Sequence, residues 1–462
     1  MAENKNKQQG TLTLEIVMCF GLLSALMSGI FLLVWGNFRL ITATEMHSKH
    51  LWYAVGDMEI ARAEANHNFS NLTSQNNSTA IDARTTEVVL LTDYAKKIIT
   101  DSHPADSGLS LFGARLEEVA IDMLGAEGRD TCALEFTDDW TLPLLRGNLD
   151  LGFANPSTDL DVLAAKAYVA TNGSTASLAD MFIVDVSNYD VPVKLSGLNT
   201  GPGINALQVV GKFVYAANSS INGQLQVIDV SNPLVPVLMN NKQMPGVSGG
   251  TGIGKSLYYF NRKVLVGLAK TTGPELHIYD VSNPISPVWQ GSFETNTSVN
   301  DIYVNTNTAY LTLAEGKQLL VLNITDPAHP VELGSFTPAG AFSQSGQSAA
   351  VLGNNAVLGR AAGLPGAGYK ELTALDLTNP SAPISQIEFD ANLSFYSLFI
   401  RGGLLFAAAN DVSGEFKIYN LNNNLSLVGS ANSGGQIVAL DCEDEIFYAS
   451  QSGQPQLQII SR

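Results

Sequence analysis

Two glycine-rich stretches contain residues that could do chemistry. Residues 249–256, Gly-Gly-Thr-Gly-Ile-Gly-Lys-Ser, match the pattern of a phosphate-binding loop, in which backbone amides and a lysine hold phosphates. Residues 246–250, Gly-Val-Ser-Gly-Gly, match the pattern of a turn that exposes a nucleophilic serine. Both chemistries need a strand before the glycines and a helix after them, whereas residues 257–267 are predicted to form a β-hairpin. We therefore interpret both stretches as turns between strands.

Candidate metal ligands are scattered along the chain. Asp and Asn recur in its second part, and such oxygen ligands bind calcium, but each copy offers only one or two of them. We favour a role in turns and leave calcium as an alternative. The histidines have none of the spacings that metal sites use; they are His47, His50, His67, His103, His277 and His329. We expect no metal, no cofactor and no catalytic residue.

The charge of the chain argues against a nucleic-acid partner. Its 462 residues carry a formal net charge of −18, with a pI of about 4.6. There is no cluster of Lys and Arg that could neutralise a phosphate backbone. The acidity favours solubility without identifying a partner.

The N-terminal residues combine an apolar segment with an unusual carboxylate. The stretch from Ile16 to Trp35 is uncharged and long enough to cross a bilayer as a helix. Glu15 lies directly against it, and a carboxylate at a membrane-embedded position needs a partner. Cleavage after Gly10 would create an amine at Thr11, four residues away, that could neutralise this carboxylate in the same chain or a neighbouring one.

These residues resemble the signal of type IV pilins and pseudopilins. That signal is a short basic leader ending in Gly, followed by a mature chain with Glu fifth and a long apolar helix. The resemblance implies cleavage between Gly10 and Thr11 by a prepilin peptidase, N-methylation of Thr11, and a role for Glu15 in assembly with other pilin-like subunits. Thr11 departs from the family, which most often has Phe there. A simple signal anchor is the alternative.

Three segments follow this leader, which comprises residues 1–10. We predict a transmembrane and stalk helix over 11–65 and an Asn-rich linker over 66–80, which is either a solvated loop or a glycosylated one. Apolar residues spaced by three and four predict a small helical adaptor over 81–128. The clearest of these spacings is formed by Leu109, Phe112, Leu116, Val119 and Met123.

Residues 151–462 repeat one pattern every 41–53 residues. Each copy is an apolar, β-rich run that ends in Asp or Asn and is followed by a turn, often with Pro. Repeats of this length built only from strands predict the four-stranded blades of a β-propeller. The last residues of the seven runs are Asp185, Asp229, Asp280, Asn323, Asp376, Asn420 and Ser461.

These runs resemble the LVIVD repeat. The name is almost spelled by Phe182–Asp185 and by Leu225–Asp229. The resemblance implies a propeller and an extracytoplasmic setting, and it implies no activity.

The ends of this region are predicted to meet. The last copy lacks its fourth strand, and residues 142–149 match the outer strands of other copies, so we expect them to close the ring. The propeller then comprises residues 129–462. It contains Cys132 and Cys442, which are either paired in a disulfide or free and buried.

The sequence thus predicts a mainly β protein: a seven-bladed β-propeller preceded by a long N-terminal transmembrane α-helix and a small helical adaptor. We expect it in the cytoplasmic membrane, with the C-terminal domain extracytoplasmic, or in a pilus at the cell surface. The predicted function is that of a minor pilin-like subunit for adhesion or for binding a surface, polymer or protein. A pseudopilin-like scaffold of a secretion or pilus-assembly system is the alternative, and a propeller enzyme is a third.

Overall fold

The computed structural model describes most of the second part of the chain and parts of the first. The described residues are 51, 54, 58, 61, 74–76, 78, 82–92, 95–104, 114–121, 131–132, 139–152, 156–173, 178–247, 252–338, 345–363 and 369–462. They divide into two compact units. The first comprises residues up to 89 together with 96–120, and the second comprises 90–95 together with 121–462.

The first unit contains most of a four-stranded sheet. Its strands are ordered β1-β2-β3-β4, with the bounds Gln75–Asn76, Asp82–Thr92, Ala95–Pro104 and Ala114–Ile121. Met58 and Ala61 pack with Ile98 of β3 in a small apolar cluster. The Thr100 hydroxyl donates a hydrogen bond to the Ala54 carbonyl oxygen, at 3.1 Å.

The helical part of the predicted fold class is wrong. Residues 81–128 were expected to form a helical adaptor, but the structure has β2, β3 and β4 in this segment. In β2, Thr85 and Glu87 are exposed whereas Thr86 is buried, which is the two-residue period of a strand. β-Branched residues at 85–86, 88–89 and 98–100 favour this conformation over a helix.

The long N-terminal transmembrane helix is not part of the architecture that the structure shows. The segment Ile16–Trp35 on which that prediction rested lies outside the described residues. In the part of the chain that is described, no helix has the length and apolar character needed to span a membrane.

The second unit is a β-propeller of seven sheets. Two strands, β5 (Thr131–Cys132) and β6 (Leu144–Leu149), precede the first complete blade and belong to the last one. The first strands of successive blades contact one another in order, and the last of them contacts the first, so the sheets form a closed ring. The β-propeller prediction is therefore confirmed.

Each of blades 1–6 is a four-stranded antiparallel meander, whose strands follow one another in sequence. Blade 1 has β7 (Ser157–Val162), β8 (Lys166–Thr171), β9 (Met181–Asp185) and β10 (Val193–Leu198). Blade 2 has β11 (Ile204–Val210), β12 (Phe213–Asn218), β13 (Leu225–Asp229) and β14 (Val237–Lys242). Blade 3 has β15 (Gly254–Phe260), β16 (Lys263–Leu268), β17 (Leu276–Asp280) and β18 (Val288–Phe293).

The remaining blades continue this pattern. Blade 4 has β19 (Val299–Asn305), β20 (Thr308–Leu313), β21 (Leu319–Asn323) and β22 (Val331–Phe336). Blade 5 has β23 (Gly346–Leu352), β24 (Asn355–Arg360), β25 (Leu372–Asp376) and β26 (Ile384–Phe389). Blade 6 has β27 (Phe395–Arg401), β28 (Leu404–Ala409), β29 (Phe416–Asn420) and β30 (Ser426–Ala431).

Blade 7 is built from both ends of the propeller sequence. Its first three strands are β31 (Ile437–Asp444), β32 (Ile446–Gln451) and β33 (Leu457–Ser461). β6 pairs antiparallel with β33 as the outer strand, and β5 pairs parallel with β31. The chain thereby joins the two ends of the ring through backbone hydrogen bonds.

The core of the propeller lies between neighbouring blades. The second and third strands are buried on both faces, which is why they are almost continuously apolar in sequence. Met181 of blade 1, for example, packs in one cluster with Ile204 and Val214 of blade 2. Each blade therefore depends on its neighbours for burial of its apolar surface.

The recurring Asp and Asn of the repeats hold turns, as predicted from the sequence. The Asp229 Oδ1 atom accepts a hydrogen bond from the Ser231 backbone N–H at 2.8 Å, and Asn323 does the same for Thr325. The equivalent bonds also form at Asp185, Asp280, Asp376 and Asn420. Hydrogen bonds from Ser231 lower the pKa of Asp229, because they stabilise its charged form.

The central channel as a candidate binding site

The first strands of the seven blades surround a central channel with a cavity of about 340 Å³. In blades 1–6 the first strand is the edge of its sheet, and in blade 7 β5 pairs with only two residues at the end of β31. Some backbone N–H groups of these first strands therefore face the channel without a partner strand. Buried N–H groups need acceptors. The side chains of the neighbouring blade supply them.

The fifth residue of each first strand contributes to one ring of side chains, which we call the channel ring. It consists of Asp161, Gln208, Tyr258, Tyr303, Ala350, Phe399 and Asp441. Three of these residues bond the next blade. Asp161 accepts from the Val209 N–H at 2.6 Å, Gln208 from the Tyr259 N–H at 2.7 Å, and Asp441 from the Val162 N–H at 2.6 Å.

The third residue of the first strands forms a similar set of bonds. Asp159 accepts from the Leu207 N–H at 2.8 Å, and Asp301 accepts from the Ala349 N–H at 3.1 Å. In blade 6 the hydroxyl of Ser397 accepts from the Leu440 N–H at 3.2 Å. At the third and fifth residues of the first strands, a carboxyl, an amide or a hydroxyl thus accepts a backbone N–H of the next blade.

The channel carboxyls hold protons more tightly than exposed ones. Burial raises the pKa of Asp159 to about 8 and that of Asp301 to about 6. Burial, together with the charge and hydrogen bond of Asp161, raises the pKa of Asp441 well above its usual value. Asp161 and Asp441 lie in adjacent blades and interact directly, so they behave as a pair that resists losing both protons.

The channel ring has an aromatic side as well as an acidic one. Tyr258 and Tyr303 lie in adjacent blades, with their ring centroids 5.3 Å apart. Phe399 is in blade 6, and between it and Tyr303 the ring has only the short side chain of Ala350. In a ring of seven, blade 4 lies opposite the junction of blades 7 and 1, so Tyr303 faces the pair of Asp161 and Asp441 across the channel.

A second repeated feature lies just before the third strand of each blade. The residue there is buried, and in blades 1–3 and 5–7 its side chain accepts hydrogen bonds from the segment that leads to the next blade. We call these seven residues the linker acceptors: Asp180, Gln224, Glu275, Gln318, Glu371, Glu415 and Gln456. Glu371, for instance, accepts from the Ala391 and Asn392 N–H groups at 2.9 and 3.1 Å.

Neither the channel ring nor the linker acceptors were predicted from the sequence, although the linker acceptors have a recognisable sequence pattern. Each linker acceptor stands five residues before the last residue of its repeat run and is always an acid or an amide. This constant spacing could have identified them. The channel ring has no such signal, because its members differ in chemistry from blade to blade.

The glycine-rich pattern of blade 3 has the local structure expected of turns and strands. Residues 248–251, including the serine of the nucleophile pattern, lie outside the described residues. Gly254, Lys255 and Ser256 begin β15. The Lys255 amine donates to Asn300 Oδ1, and burial lowers its pKa.

The described residues contain no cluster of histidines or of other metal-binding side chains. His277 is fully buried, its Nε2 atom lies 2.9 Å from the Pro274 carbonyl oxygen, and burial lowers its pKa to about 4. Within the described ranges, no three His, Cys, Asp or Glu side chains come together in a way that could hold a metal ion.

Of the residues assigned from sequence, the structure places only the cysteines. Gly10, Thr11 and Glu15 lie outside the described residues. Cys132 of β5 and Cys442 of β31 come together, with their Cα atoms 5.1 Å apart, and are joined as a disulfide. Both are buried next to Trp140 in the cluster between blades 6 and 7.

The cysteine pair leads to a direct chemical prediction. In protein taken from an oxidising compartment, we expect Cys132 and Cys442 to resist alkylation until a reductant is added, because they are bonded and buried. Peptide mass spectrometry should then find the two tryptic peptides linked. Cys19 serves as the internal control, since its single thiol has no partner in this prediction. Alkylation of Cys132 without reductant would contradict it.

Comparison with known proteins supports the repeats and the fold. The model of the LVIVD repeat matches residues 205–243, 272–295 and 298–337, which lie in blades 2, 3 and 4. The chain carries LVIVD repeats. Among curated proteins, none matches this sequence.

Solved structures with the same architecture have very different sequences. Virginiamycin B lyase from Staphylococcus aureus is 10% identical with a TM-score of 0.50, over 69% of this chain and 99% of that one. Raptor from Chaetomium thermophilum is 11% identical with a TM-score of 0.50, over 70% of this chain and 28% of that one. The WD40 propeller domain of Doa1 is 12% identical with a TM-score of 0.48, over 69% and 97%. The two structures with a TM-score of 0.50 show a shared fold and nothing further.

Proposed function

We propose that this protein is an extracytoplasmic binding subunit whose propeller takes up its ligand in the central channel. The observation that supports this is the way in which the channel carboxyls are used. Asp159, Asp161, Asp301 and Asp441 each accept a backbone N–H from the next blade. These bonds hold the ring together and leave a shaped cavity that a ligand can enter.

A binding role fits this arrangement better than catalysis. A general base or nucleophile must be free to approach its substrate. Carboxyl groups that hold the edges of neighbouring blades are fixed by those bonds. The pair of Asp161 and Asp441 favours the alternative, an acid–base enzyme. Burial and Asp161 raise the pKa of Asp441, and acids with a raised pKa occur at catalytic sites.

We further propose that the N-terminal signal delivers this propeller to a pilus or to the cytoplasmic membrane. The proposal rests on Gly10, Thr11 and Glu15 and their likeness to the prepilin signal. The chain is then a minor pilin-like subunit that presents a bulky binding domain for adhesion. Its partners are the prepilin peptidase, other pilin-like subunits, and a surface, polymer or protein. A pseudopilin-like scaffold remains the second candidate.

The N-terminal mass of the protein from its native host tests this delivery. We expect a chain that begins at N-methylated Thr11, because the prepilin peptidase cuts after Gly10 and methylates the new amine. Changing Gly10 to a larger residue should leave the leader attached and provides the matched control. A native chain that retains Met1 or Ala2 would remove the pilin-like part of the proposal and leave the channel untouched.

A host strain whose chain lacks the propeller separates binding from scaffolding. If binding is the function, adhesion is lost while filaments still form. If scaffolding is the function, filaments or secretion fail as well.

A further inference from the structure

The geometry of the channel ring points to a small organic cation as its ligand: a protonated amine with an apolar body. Its ammonium group would lie at Asp161 and Asp441, and its body against Tyr258 and Tyr303. This inference rests on the proposed binding function and gives it a ligand class.

The acidic side is pre-arranged for a cation. Asp161 accepts from the Val209 N–H at 2.6 Å, and Asp441 accepts from the Val162 N–H at 2.6 Å, so both carboxyls are fixed before any ligand arrives. Their closeness is unfavourable when both are charged. An ammonium group placed between them would remove this repulsion and supply hydrogen-bond donors to both.

The opposite side suits the apolar part of such a ligand. The faces of aromatic rings attract cations and pack against apolar groups. Tyr258 and Tyr303 are half-buried, and Ala350 beside them leaves room in the ring. The cavity of about 340 Å³ is near the lower end of the range for ligand pockets, which favours a small molecule.

The other charged groups of the channel have partners already. The carboxyls of Asp159 and Asp301 accept the Leu207 and Ala349 N–H groups. The Lys255 amine bonds to Asn300 Oδ1, and the Arg401 guanidinium lies 5.2 Å from the centroid of the Phe399 ring. A hard metal ion prefers six or more oxygen ligands. Within the described residues no group of three acidic, histidine or cysteine side chains comes together for one. An organic cation needs fewer oxygens and uses the aromatic side.

Binding of a cation should release a proton. Burial and the neighbouring Asp161 raise the pKa of Asp441, which favours the protonated form of the free pair. A bound ammonium group favours the charged form of both carboxyls and lowers that pKa, so the proton leaves as the cation enters. Affinity should therefore rise with pH while the pair deprotonates, provided the ligand itself stays protonated.

The test uses isothermal titration of the full-length protein with phenethylammonium, and with 2-phenylethanol as a neutral probe of similar shape. We expect the amine to bind at least about tenfold more tightly than the alcohol, since it adds charge-assisted hydrogen bonds. Titrations in buffers of different ionisation enthalpy should show proton release. Recovery of the amine unchanged, checked by mass spectrometry, is expected of a binding site.

Two variants and a control localise the effect. Asp441→Asn keeps an oxygen to accept the Val162 N–H but removes the charge, and it should weaken amine binding about tenfold and reduce proton release. Tyr303→Ala should weaken binding several-fold without changing proton release. Asp229→Asn makes the same charge change in an exposed turn and should leave both unchanged. Thermal unfolding of each variant checks that the ring is intact.

The outcomes distinguish this inference from the proposed function. Equal binding of amine and alcohol, or equal effects of Asp441→Asn and Asp229→Asn, would overturn the organic-cation site while adhesion by the host strain could still depend on the propeller. Conversion of the amine to a product would uphold the site and overturn the non-catalytic function.

Discussion

Replacing Glu275 by alanine is expected to destabilise the propeller by about 3 kcal/mol, because three donors in the segment between blades 3 and 4 lose their shared acceptor together. Its Oε2 atom accepts from the Thr295 and Asn296 N–H groups, each at 3.0 Å, and from the Thr295 hydroxyl at 3.0 Å. Glu275 itself is fully buried.

Glu275→Gln is the matched control. Glutamine occupies the equivalent position in blade 2, where Gln224 accepts from the Met244 N–H at 3.0 Å. An amide oxygen can thus do the same work, and we expect a loss of only about 1 kcal/mol or less. Urea unfolding followed by circular dichroism gives the comparison. Equal destabilisation by the two substitutions would show that the hydrogen bonds are not the source of the stability.

Replacing Trp140 by alanine should destabilise the protein by about 3–5 kcal/mol, since it removes a large buried aromatic side chain from a packed core. Trp140 is 1% exposed. Its ring centroid lies 5.2 Å from that of Phe406 and 5.5 Å from that of Phe447. These partners belong to blades 6 and 7, so the cavity would open between these two blades.

Trp289→Ala is the comparison for this prediction. Trp289 lies on the outer strand of blade 3 and is 43% exposed. Its removal should change the free energy of unfolding by about 0.5 kcal/mol or less. Circular dichroism is the suitable probe, because both variants alter the tryptophan fluorescence. Similar unfolding midpoints for the two variants would mean that the packing of Trp140 between blades 6 and 7 is not a large source of stability.

Close packing against Trp140 also limits which residues are tolerated at neighbouring positions. A Cβ atom added to Gly429 of blade 6 would lie 2.3 Å from the Trp140 carbonyl oxygen. The same close approach occurs at Gly291, where a Cβ atom would lie 2.2 Å from the Pro327 carbonyl oxygen. Glycine at these outer-strand positions lets the turn of the next blade come close.

Local patterns predicted some elements and failed for others. The apolar runs ending at residues such as Asp229 predicted strands and turns, because these interactions join residues a few positions apart. The segment 81–128 was predicted to be helical from spacings of three and four. Its β-branched residues were the better guide, since pairing with neighbouring strands overrides a short apparent period.

The sequence by itself determined that the second part of the chain is a repeat of β-strands with Asp or Asn turns. That information is local, and seven similar copies repeat it. The tertiary structure alone decided which side chains meet in the channel. Asp161 and Asp441 are far apart in sequence and become partners only because the ring closes between blades 7 and 1. The raised pKa of Asp441 follows from that closure and from burial, neither of which is encoded in the residues next to it.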